Sequence, residues 1–263
     1  MSETDAPVRV RKSDGIGTIT LNRPQSLNAM DIEVAAGFRD AVHALAGDTT
    51  LRAIVLNAEG RAFMAGGDLG YFNKADDPSQ AARDLIEIVH DGVMTLAGAP
   101  QITIASVKGA AAGGGMSLAL GLDLAIAADD AVFSFAYGQI GTTPDCGGSW
   151  TLPRLVGMRR SMEIALFGER IDAAEALRLG LVNRVVPRDL LDAETDKLAR
   201  TIADGAPIAQ RNIKRLLRAS SEMTFERQLD AEIDSFAECA GTADFKGAVS
   251  AFLQKKNHRF EGR

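Results

Sequence analysis

One carboxylate stands in an unusual setting in the segment GTTPDCGGSW, residues 141–150. Asp145 follows a proline and precedes a cysteine and two glycines, so a helix can begin here but cannot easily run through. A carboxylate on such a turn can take or give a proton as a general base or acid. It can equally cap the helix that follows, by accepting hydrogen bonds from its first amides. The local sequence leaves both roles open.

Two glycine-rich loops could supply the electrostatic partner of such an acid. Gly66 and Gly67 lie in AFMAGGDL, and Gly113, Gly114 and Gly115 lie in KGAAAGGGMSLAL, where a strand gives way to a helix. Amides exposed at such a point attract negative charge, either a phosphate or a developing oxyanion. The sequence has no G-x-x-x-x-G-K-[ST] motif, and GGG lacks the G-x-G-x-x-G spacing of dinucleotide binding. Tight turns alone would also explain these glycines.

The elements that must position these residues alternate between strand and helix patterns. Two β-rich runs meet at Asp14 and Gly15 within residues 8–21, which predicts a hairpin. Apolar residues at three- and four-residue spacing predict that a helix follows and ends at Gly47. The alternation continues to about residue 190, which predicts parallel crossovers and an α/β core.

The pattern after residue 190 contains only helices. Four segments have helical periodicity with no strand signal between them: TDKLARTIADG, APIAQRNIKRLLRAS, FERQLDAEIDSFAECAG and TADFKGAVSAFLQKK. We therefore expect an α/β core of residues 1–190 that carries the glycine loops, and a helical C-terminal subdomain of residues 191–263. Because no long Pro/Gly/Ser linker separates them, the two parts should pack closely.

Composition excludes several classes of function. The chain has 263 residues, 46% of them hydrophobic, and its formal net charge of -6 gives no general attraction to nucleic acid or anionic membranes. Cys146 and Cys239 form neither a disulfide framework nor a metal-ligand set. The N-terminus has no apolar h-region, and no later run is long enough to span a bilayer. We predict a soluble cytoplasmic protein with no metal site and with neither nucleic acid nor membrane as a partner.

Six segments occur in an order and at a spacing that point to a family. They are LNRPQSLNAM (21–30), AFMAGGDL (62–69), VKGAAAGGGMSLAL (107–120), TLPRLVGMRRSMEIAL (151–166), DAAEALRLGLVNRVVP (172–187) and SAFLQKK (250–256). This set resembles the crotonase (enoyl-CoA hydratase/isomerase) superfamily over nearly the whole chain. The resemblance implies a spiral of repeated ββα units, followed by a helical C-terminal part that closes the CoA pocket and builds a homotrimer or a dimer of trimers. It also implies acyl-CoA thioester substrates of fatty acid or aromatic acid metabolism. No separate cofactor is expected, because coenzyme A enters as part of the substrate.

The resemblance implies that the amides of Gly67 and Gly114 form an oxyanion hole around the thioester oxygen. Removing a proton beside a thioester drives negative charge onto that oxygen. Two preorganised amides stabilise the charge without a metal, and losing one such donor typically costs about 10²-fold or more in rate.

The acid distinguishes reactions within the family. Hydratases resemble one another in using two glutamates, and the corresponding positions here are Ser117 and Tyr137, neither of them a carboxylate base. Asp145 resembles instead the acid/base of isomerase members, including 1,2-epoxyphenylacetyl-CoA isomerases. One carboxylate suits isomerisation, because it can remove a proton from one carbon and return it to another. The resemblance therefore implies an acyl-CoA isomerase that moves a double bond or rearranges a ring through a thioester enolate. Apolar walls that exclude water would strengthen this base, and the candidates are Met116, Phe133, Tyr137, Ile140 and Trp150.

Three alternative functions stay open, and the first of them depends on His90. A lone histidine on a helix is usually a surface or packed residue. His90 together with Asp145, however, resembles the pair in 4-chlorobenzoyl-CoA dehalogenases, where the aspartate attacks the aromatic ring and the histidine helps water release the aryl ester. Those enzymes have a tryptophan at the position of Tyr137. The second alternative function is an enoyl-CoA hydratase that uses a residual acid. The third is a non-catalytic acyl-CoA-binding protein.

The remaining binding residues follow from the matched motifs. Phe252 and Lys255 match family positions that contact CoA, often from a neighbouring subunit, although a basic helix end is also commonly just solvated. The first two motifs imply further substrate- or CoA-binding positions at Ala29, Ala65, Asp68 and Leu69.

Overall fold

A six-stranded sheet lies at the centre of the protein, and a computed structural model describes it within residues 6–263. The first five residues of the predicted core, 1–5, lie outside the described part. The strands are β1 (Val8–Ser13), β2 (Ile16–Leu21), β3 (Ala53–Ala58), β4 (Ile102–Val107), β5 (Ala110–Ala112), β6 (Leu124–Ala128), β7 (Val132–Ser134), β8 (Arg170–Asp172) and β9 (Arg184–Val186).

Helices occupy the crossovers and the whole C-terminal region. They are α1 (Ile32–Ala46), α2 (Leu69–Lys74), α3 (Pro78–Gly98), α4 (Gly114–Gly121), α5 (Gly148–Val156), α6 (Met158–Phe167), α7 (Ala173–Arg178), α8 (Leu191–Ala203), α9 (Pro207–Ala219), α10 (Phe225–Ala240) and α11 (Ala243–Leu253).

The main sheet has the order β1-β2-β3-β4-β6-β9 and is parallel beyond its first pair. That pair is the predicted hairpin, and it turns at Asp14 and Gly15 with φ of 51° and 76°. A second sheet of three short strands has the order β5-β7-β8. The α/β core with parallel crossovers is confirmed.

Both faces of the main sheet are covered, because successive side chains of a strand point to opposite faces. On β3, Ile54 and Leu56 belong to the main core, whereas Val55 belongs to a smaller cluster on the other face. Helix α8 covers that second face with Leu198 and Ala199. The first of the C-terminal helices therefore packs directly on the sheet.

Helix α9 is tied to the sheet by a buried ion pair. The ammonium group of Lys214 lies 2.9 Å from Asp123 Oδ2 and also donates to the backbone oxygens of Leu96 and Gln101. Arg218 donates to the other oxygen of Asp123 at 2.6 Å. These contacts fix the C-terminal helices against the residues that precede β4 and β6. None of the helices described is long and apolar enough to cross a membrane.

Candidate active site

The two glycine loops come into contact beside the start of α4. The first loop pairs with Met30, whose amide donates to Gly66 O at 2.8 Å and whose carbonyl accepts from Asp68 N at 2.9 Å. Gly66 has φ +94°, and a methyl group there would lie 3.1 Å from Ala112 O and 3.4 Å from Gly114 N. Only glycine fits this approach, because both the backbone angle and the space exclude a side chain.

Two amides at this contact have no backbone acceptor within residues 6–263. They are those of Gly67, which follows Gly66, and of Gly114, the first residue of α4. The amides of a helix's first turn have no partner within the helix, so Gly114 N remains available to a ligand. The geometry thus leaves two backbone donors at one place in the fold.

Asp145 lies against these glycines. It is half-buried in the loop before α5, and a methyl group on Gly114 would lie 3.3 Å from Asp145 Oδ1. The N-cap of α5 is Gly147, and that helix start has no side-chain cap. The interpretation of Asp145 as an N-cap is therefore wrong, because its side chain is directed to other partners.

Those partners are two hydroxyl groups. Tyr137 Oη donates to Asp145 Oδ1 at 2.5 Å, and Ser117 Oγ lies 2.8 Å from Tyr137 Oη. Burial, and then the negative charge of Asp145, raise the pKa of the Tyr137 hydroxyl far above its ordinary value. Ser117 and Tyr137 thus form one hydrogen-bonded chain that ends on Asp145. Their positions are the two that resemble the glutamate positions of hydratases.

Cys146 and His90 complete the surroundings of Asp145. The Cys146 thiol is buried, and burial followed by the adjacent carboxylate raises its pKa well above the usual range, so it is a poor nucleophile. His90 is exposed on α3, and its Nε2 accepts a hydrogen bond from the Cys146 amide at 3.2 Å. Its lone pair therefore faces the backbone beside Asp145.

The predicted apolar walls separate into three groups. Met116 and Phe133 are fully buried in the main core and present no surface to a ligand, contrary to the expectation of pocket walls. Trp150 stacks with its ring 3.7 Å from the Arg154 guanidinium and lines a groove beside α9. Ile140 is exposed, and Tyr137 is the predicted wall residue that bonds to Asp145.

The predicted binding residues of the first two motifs lie along one edge of the site. Ala29 and Ala65 are half-buried, whereas Leu69 is exposed. Asp68 caps α2 by accepting from the Gly70 and Tyr71 amides. Sequence reasoning missed Arg23, which joins the two motifs.

Arg23 makes three contacts there. Its guanidinium donates to Ala29 O at 3.2 Å and to Asp31 Oδ2 at 2.6 Å, and it lies 3.5 Å from Asp68 Oδ2. The sequence signal for this role is the arginine itself, which is the one charged residue of the first motif, LNRPQSLNAM.

The C-terminal candidates point to solvent. Phe252 is 82% exposed near the end of α11, and Lys255 is exposed just beyond it. Neither makes a polar contact to Asp145 or to the glycine loops within residues 6–263. No cluster of three or more histidine, cysteine or acidic side chains capable of holding a metal occurs among residues 6–263.

Comparison with known proteins agrees with this architecture. The enoyl-CoA hydratase/isomerase family model matches residues 11–263. The chain is 38% identical to 1,2-epoxyphenylacetyl-CoA isomerase of Escherichia coli (strain K12), over 95% of this chain and 96% of that protein. It is 38% identical to a probable enoyl-CoA hydratase of Rhodobacter capsulatus, over 97% and 98%.

A solved structure gives the same result for the fold. The crystal structure of an enoyl-CoA hydratase from Polaromonas sp. JS666 superposes with a TM-score of 0.91 at 33% identity, covering 97% of this chain and 99% of that one. The likeness extends over the sheet, the crossovers and the C-terminal helices. The chain therefore belongs to the enoyl-CoA hydratase/isomerase family of the crotonase superfamily.

Proposed function

We propose that the protein is an acyl-CoA isomerase in which Asp145 carries a proton from one carbon of the acyl chain to another. One observation carries the proposal: the carboxylate beside the two free glycine amides is that of Asp145, next to Gly114. The 1,2-epoxyphenylacetyl-CoA isomerase among the relatives is consistent with isomerisation. Another relative is named a probable enoyl-CoA hydratase, so the product of the reaction has to be measured.

The reaction proceeds in two proton transfers. The Asp145 carboxylate removes a proton from the carbon next to the thioester or conjugated with it, and the electron pair of the C–H bond moves onto the thioester oxygen. The amides of Gly67 and Gly114 stabilise the resulting enolate. The protonated Asp145 then returns the proton to a different carbon, so that the double bond moves and the enzyme regains its first state.

The partners of Asp145 argue against hydration by two carboxylates. Water addition of that kind needs a second acid/base, and the two family positions hold Ser117 and Tyr137. The Tyr137 hydroxyl donates a hydrogen bond to Asp145 and keeps its proton, because burial raises its pKa. A hydroxyl that holds its proton so firmly is a poor general base near neutral pH.

Product analysis tests the proposal. A 3-enoyl-CoA, a 2-enoyl-CoA, 1,2-epoxyphenylacetyl-CoA and 4-chlorobenzoyl-CoA are incubated separately with the protein and analysed by chromatography with mass detection. We expect a product of unchanged mass from at least one of the first three. In Asp145→Asn the rate should fall by about 10²-fold or more, with acyl-CoA binding retained. Water addition that survives in Asp145→Asn would overturn the proposal.

A 4-chlorobenzoyl-CoA-type dehalogenase is the second candidate, and two contacts of the Asp145 segment favour it. His90 lies at the backbone of Asp145 and Cys146, and Tyr137 supplies a hydrogen bond to Asp145 where those dehalogenases have a tryptophan. Asp145 would then attack the ring carbon and displace chloride, and water would hydrolyse the aryl ester. Release of 4-hydroxybenzoyl-CoA, with a transient aryl ester on Asp145 visible by mass spectrometry, would establish this reaction.

We also propose that the chain assembles as a trimer or a dimer of trimers, as the family resemblance implies. Two apolar surfaces support this. The α6 surface consists of Met158, Met162, Leu166 and Phe167, and the α10 surface of Leu229, Ile233 and Phe236. Monomers rarely expose contiguous apolar patches of this kind.

A further inference from the structure

A chain of three groups converges on the proposed base from three separate elements. Ser117 is fully buried on α4, Tyr137 is buried in the turn that follows β7, and Asp145 is half-buried in the loop before α5. The two oxygen–oxygen distances are 2.8 Å and 2.5 Å. Proton transfer by Asp145 does not in itself require the hydroxyl groups of Ser117 and Tyr137, so these two groups have a role of their own.

The direction of both hydrogen bonds follows from the chemistry of the groups. An ionised carboxylate can only accept, so Tyr137 donates to Asp145. A tyrosine hydroxyl has a single proton, so Ser117 must donate to the Tyr137 oxygen. Ser117 therefore turns the Tyr137 hydroxyl toward the carboxylate.

Packing holds the Tyr137 ring in this position. Phe135 contacts it edge-to-face, with ring centroids 5.1 Å apart. Gly148, at the start of α5, leaves the space that Ser117 and Phe135 occupy: a methyl group there would lie 2.2 Å from Ser117 Oγ. The chain is thus built into the fold at both ends.

We propose that Tyr137 is a positioning residue that holds the Asp145 carboxylate in one orientation, with Ser117 orienting the Tyr137 hydroxyl. This rests on the proposed function, in which Asp145 carries the proton. A hydrogen bond donated to a charged carboxylate is stronger than one between neutral groups, so it restrains the rotation of the Asp145 side chain. Tyr137 keeps its own proton throughout, because burial and the neighbouring charge raise its pKa.

Three titratable groups lie around Asp145 in the described contacts. Tyr137 donates to it, and the Cys146 thiol beside it stays neutral, because burial and then Asp145 raise the pKa of that thiol. His90 faces it from α3 through the Cys146 amide. Cys146 and His90 are unchanged in the variants below, so a difference in kcat from the wild type reports on the hydroxyl groups.

The kinetic test compares variants that lack one hydroxyl group. In Tyr137→Phe, kcat on the isomerised substrate should fall about tenfold to a hundredfold while KM changes less than about threefold, since the lost interaction is a hydrogen bond to a charged group. Ser117→Ala should lower kcat in the same way but by less, because Tyr137 keeps its hydroxyl group and loses only the donor that orients it.

Tyr71→Phe is the matched control, because the chain has two tyrosines and this variant removes the other hydroxyl group. We expect its kcat and KM to equal those of the wild type. A Tyr137→Phe enzyme with wild-type kcat, or one in which KM rises as much as kcat falls, would overturn the positioning role. It would leave the isomerase proposal intact if Asp145→Asn remained inactive.

An experiment without turnover separates the two proposals. In a Tyr71→Phe background, tyrosine labelled with ¹³C at Cζ gives one NMR signal, that of Tyr137. We expect its chemical shift to change in Asp145→Asn, because a neutral amide is a weaker acceptor for the Tyr137 hydroxyl than a carboxylate is. An unchanged chemical shift would overturn the hydrogen-bond role. A protein that isomerises none of the acyl-CoA panel but shows the expected NMR result would lose the proposed function and keep the Ser117–Tyr137–Asp145 chain.

Discussion

Gly148 connects the packing around α5 to the hydroxyl chain. A methyl group there would lie 2.2 Å from Ser117 Oγ and 2.8 Å from Phe135 Cζ, so Gly148→Ala must displace one or both side chains. We expect a loss of about 1–3 kcal/mol in the free energy of unfolding, as for other overpacked cores. Isomerisation should fall as in Ser117→Ala, because the Tyr137 hydroxyl loses its orienting donor.

Denaturant unfolding and kcat measure these two effects. Gly98→Ala is the matched control, since a methyl group at Gly98, in the last turn of α3, would have no atom within 4 Å. That variant should be neutral or slightly more stable. If Gly148→Ala behaved like Gly98→Ala, the close approach of Ser117 to α5 would be unimportant for both stability and turnover.

Part of the site can be predicted from residue types alone. Proline, cysteine and glycines around Asp145 make it conspicuous, and the glycine runs mark Gly67 and Gly114. The hydrogen bonds of Asp145 cannot be predicted in this way, because Ser117 and Tyr137 reach it from a helix and from a turn twenty residues further on. Their meeting depends on how β7 and α4 pack, and that packing has no local sequence signal.

At the scale of elements, α9 depends on one buried ion pair. The side chains of Lys214 and Asp123 are 6% and 13% exposed, and Lys214→Met leaves the buried Asp123 carboxylate with only the partly exposed Arg218 as its charge partner. We expect Lys214→Met to lower the free energy of unfolding by about 3 kcal/mol at neutral pH. Lys197→Met, which breaks an exposed pair with Glu194 on α8, should cost about 0.5 kcal/mol or less.

The pH dependence of this loss has a definite sign. Burial alone would raise the pKa of Asp123, but Lys214 and Arg218 outweigh burial and lower it. An acid with a lowered pKa in the folded state stabilises the protein fully above its unfolded value of about 4, and this stabilisation disappears as the pH falls through the folded value. The difference between the wild type and Lys214→Met should therefore shrink below about pH 4.

Urea unfolding at several pH values measures this difference. Burial lowers the pKa of Lys214 itself, and a lysine loses its charge as the pH rises, so this shift does not weaken the pair on acidification. A difference that stayed constant from neutral to acid pH would show that Lys214 acts through packing rather than through the charge of Asp123.

Elements with several turns of apolar periodicity can be predicted, and the short ones cannot. Helices α1 and α3 and the four C-terminal helices follow the spacing of their apolar residues. The three-residue strands β5 and β8 are too short for any period, and they form because β7 lies between them as a partner. Helix α2 has six residues and begins at the N-cap Asp68. This cap was not predicted, because the glycines around Asp68 indicate a loop rather than a helix.

At the scale of the whole molecule, the two apolar surfaces suggest the geometry of assembly. Side chains of the α6 surface are 53–67% exposed, and Phe236 on the α10 surface is 70% exposed. A cyclic trimer repeats a head-to-tail contact between two different surfaces of each subunit, so two patches are what it requires. A two-fold dimer would need only one self-complementary patch.

Light scattering after size-exclusion chromatography tests this assembly. We expect the wild type at three or six times the protomer mass of 27.8 kDa. Phe236→Asp places an unpaired charge in the α10 surface and should yield single protomers. If the α6 surface completes the trimer, Leu166→Asp should also yield single protomers. If that surface joins two trimers, the Leu166→Asp protein should be a trimer.

Met94→Asp is the control, because Met94 is an exposed apolar residue on α3 outside both surfaces. This variant should keep the wild-type mass. A wild type of 27.8 kDa at micromolar concentration would contradict the trimer, and both apolar surfaces would then need other partners.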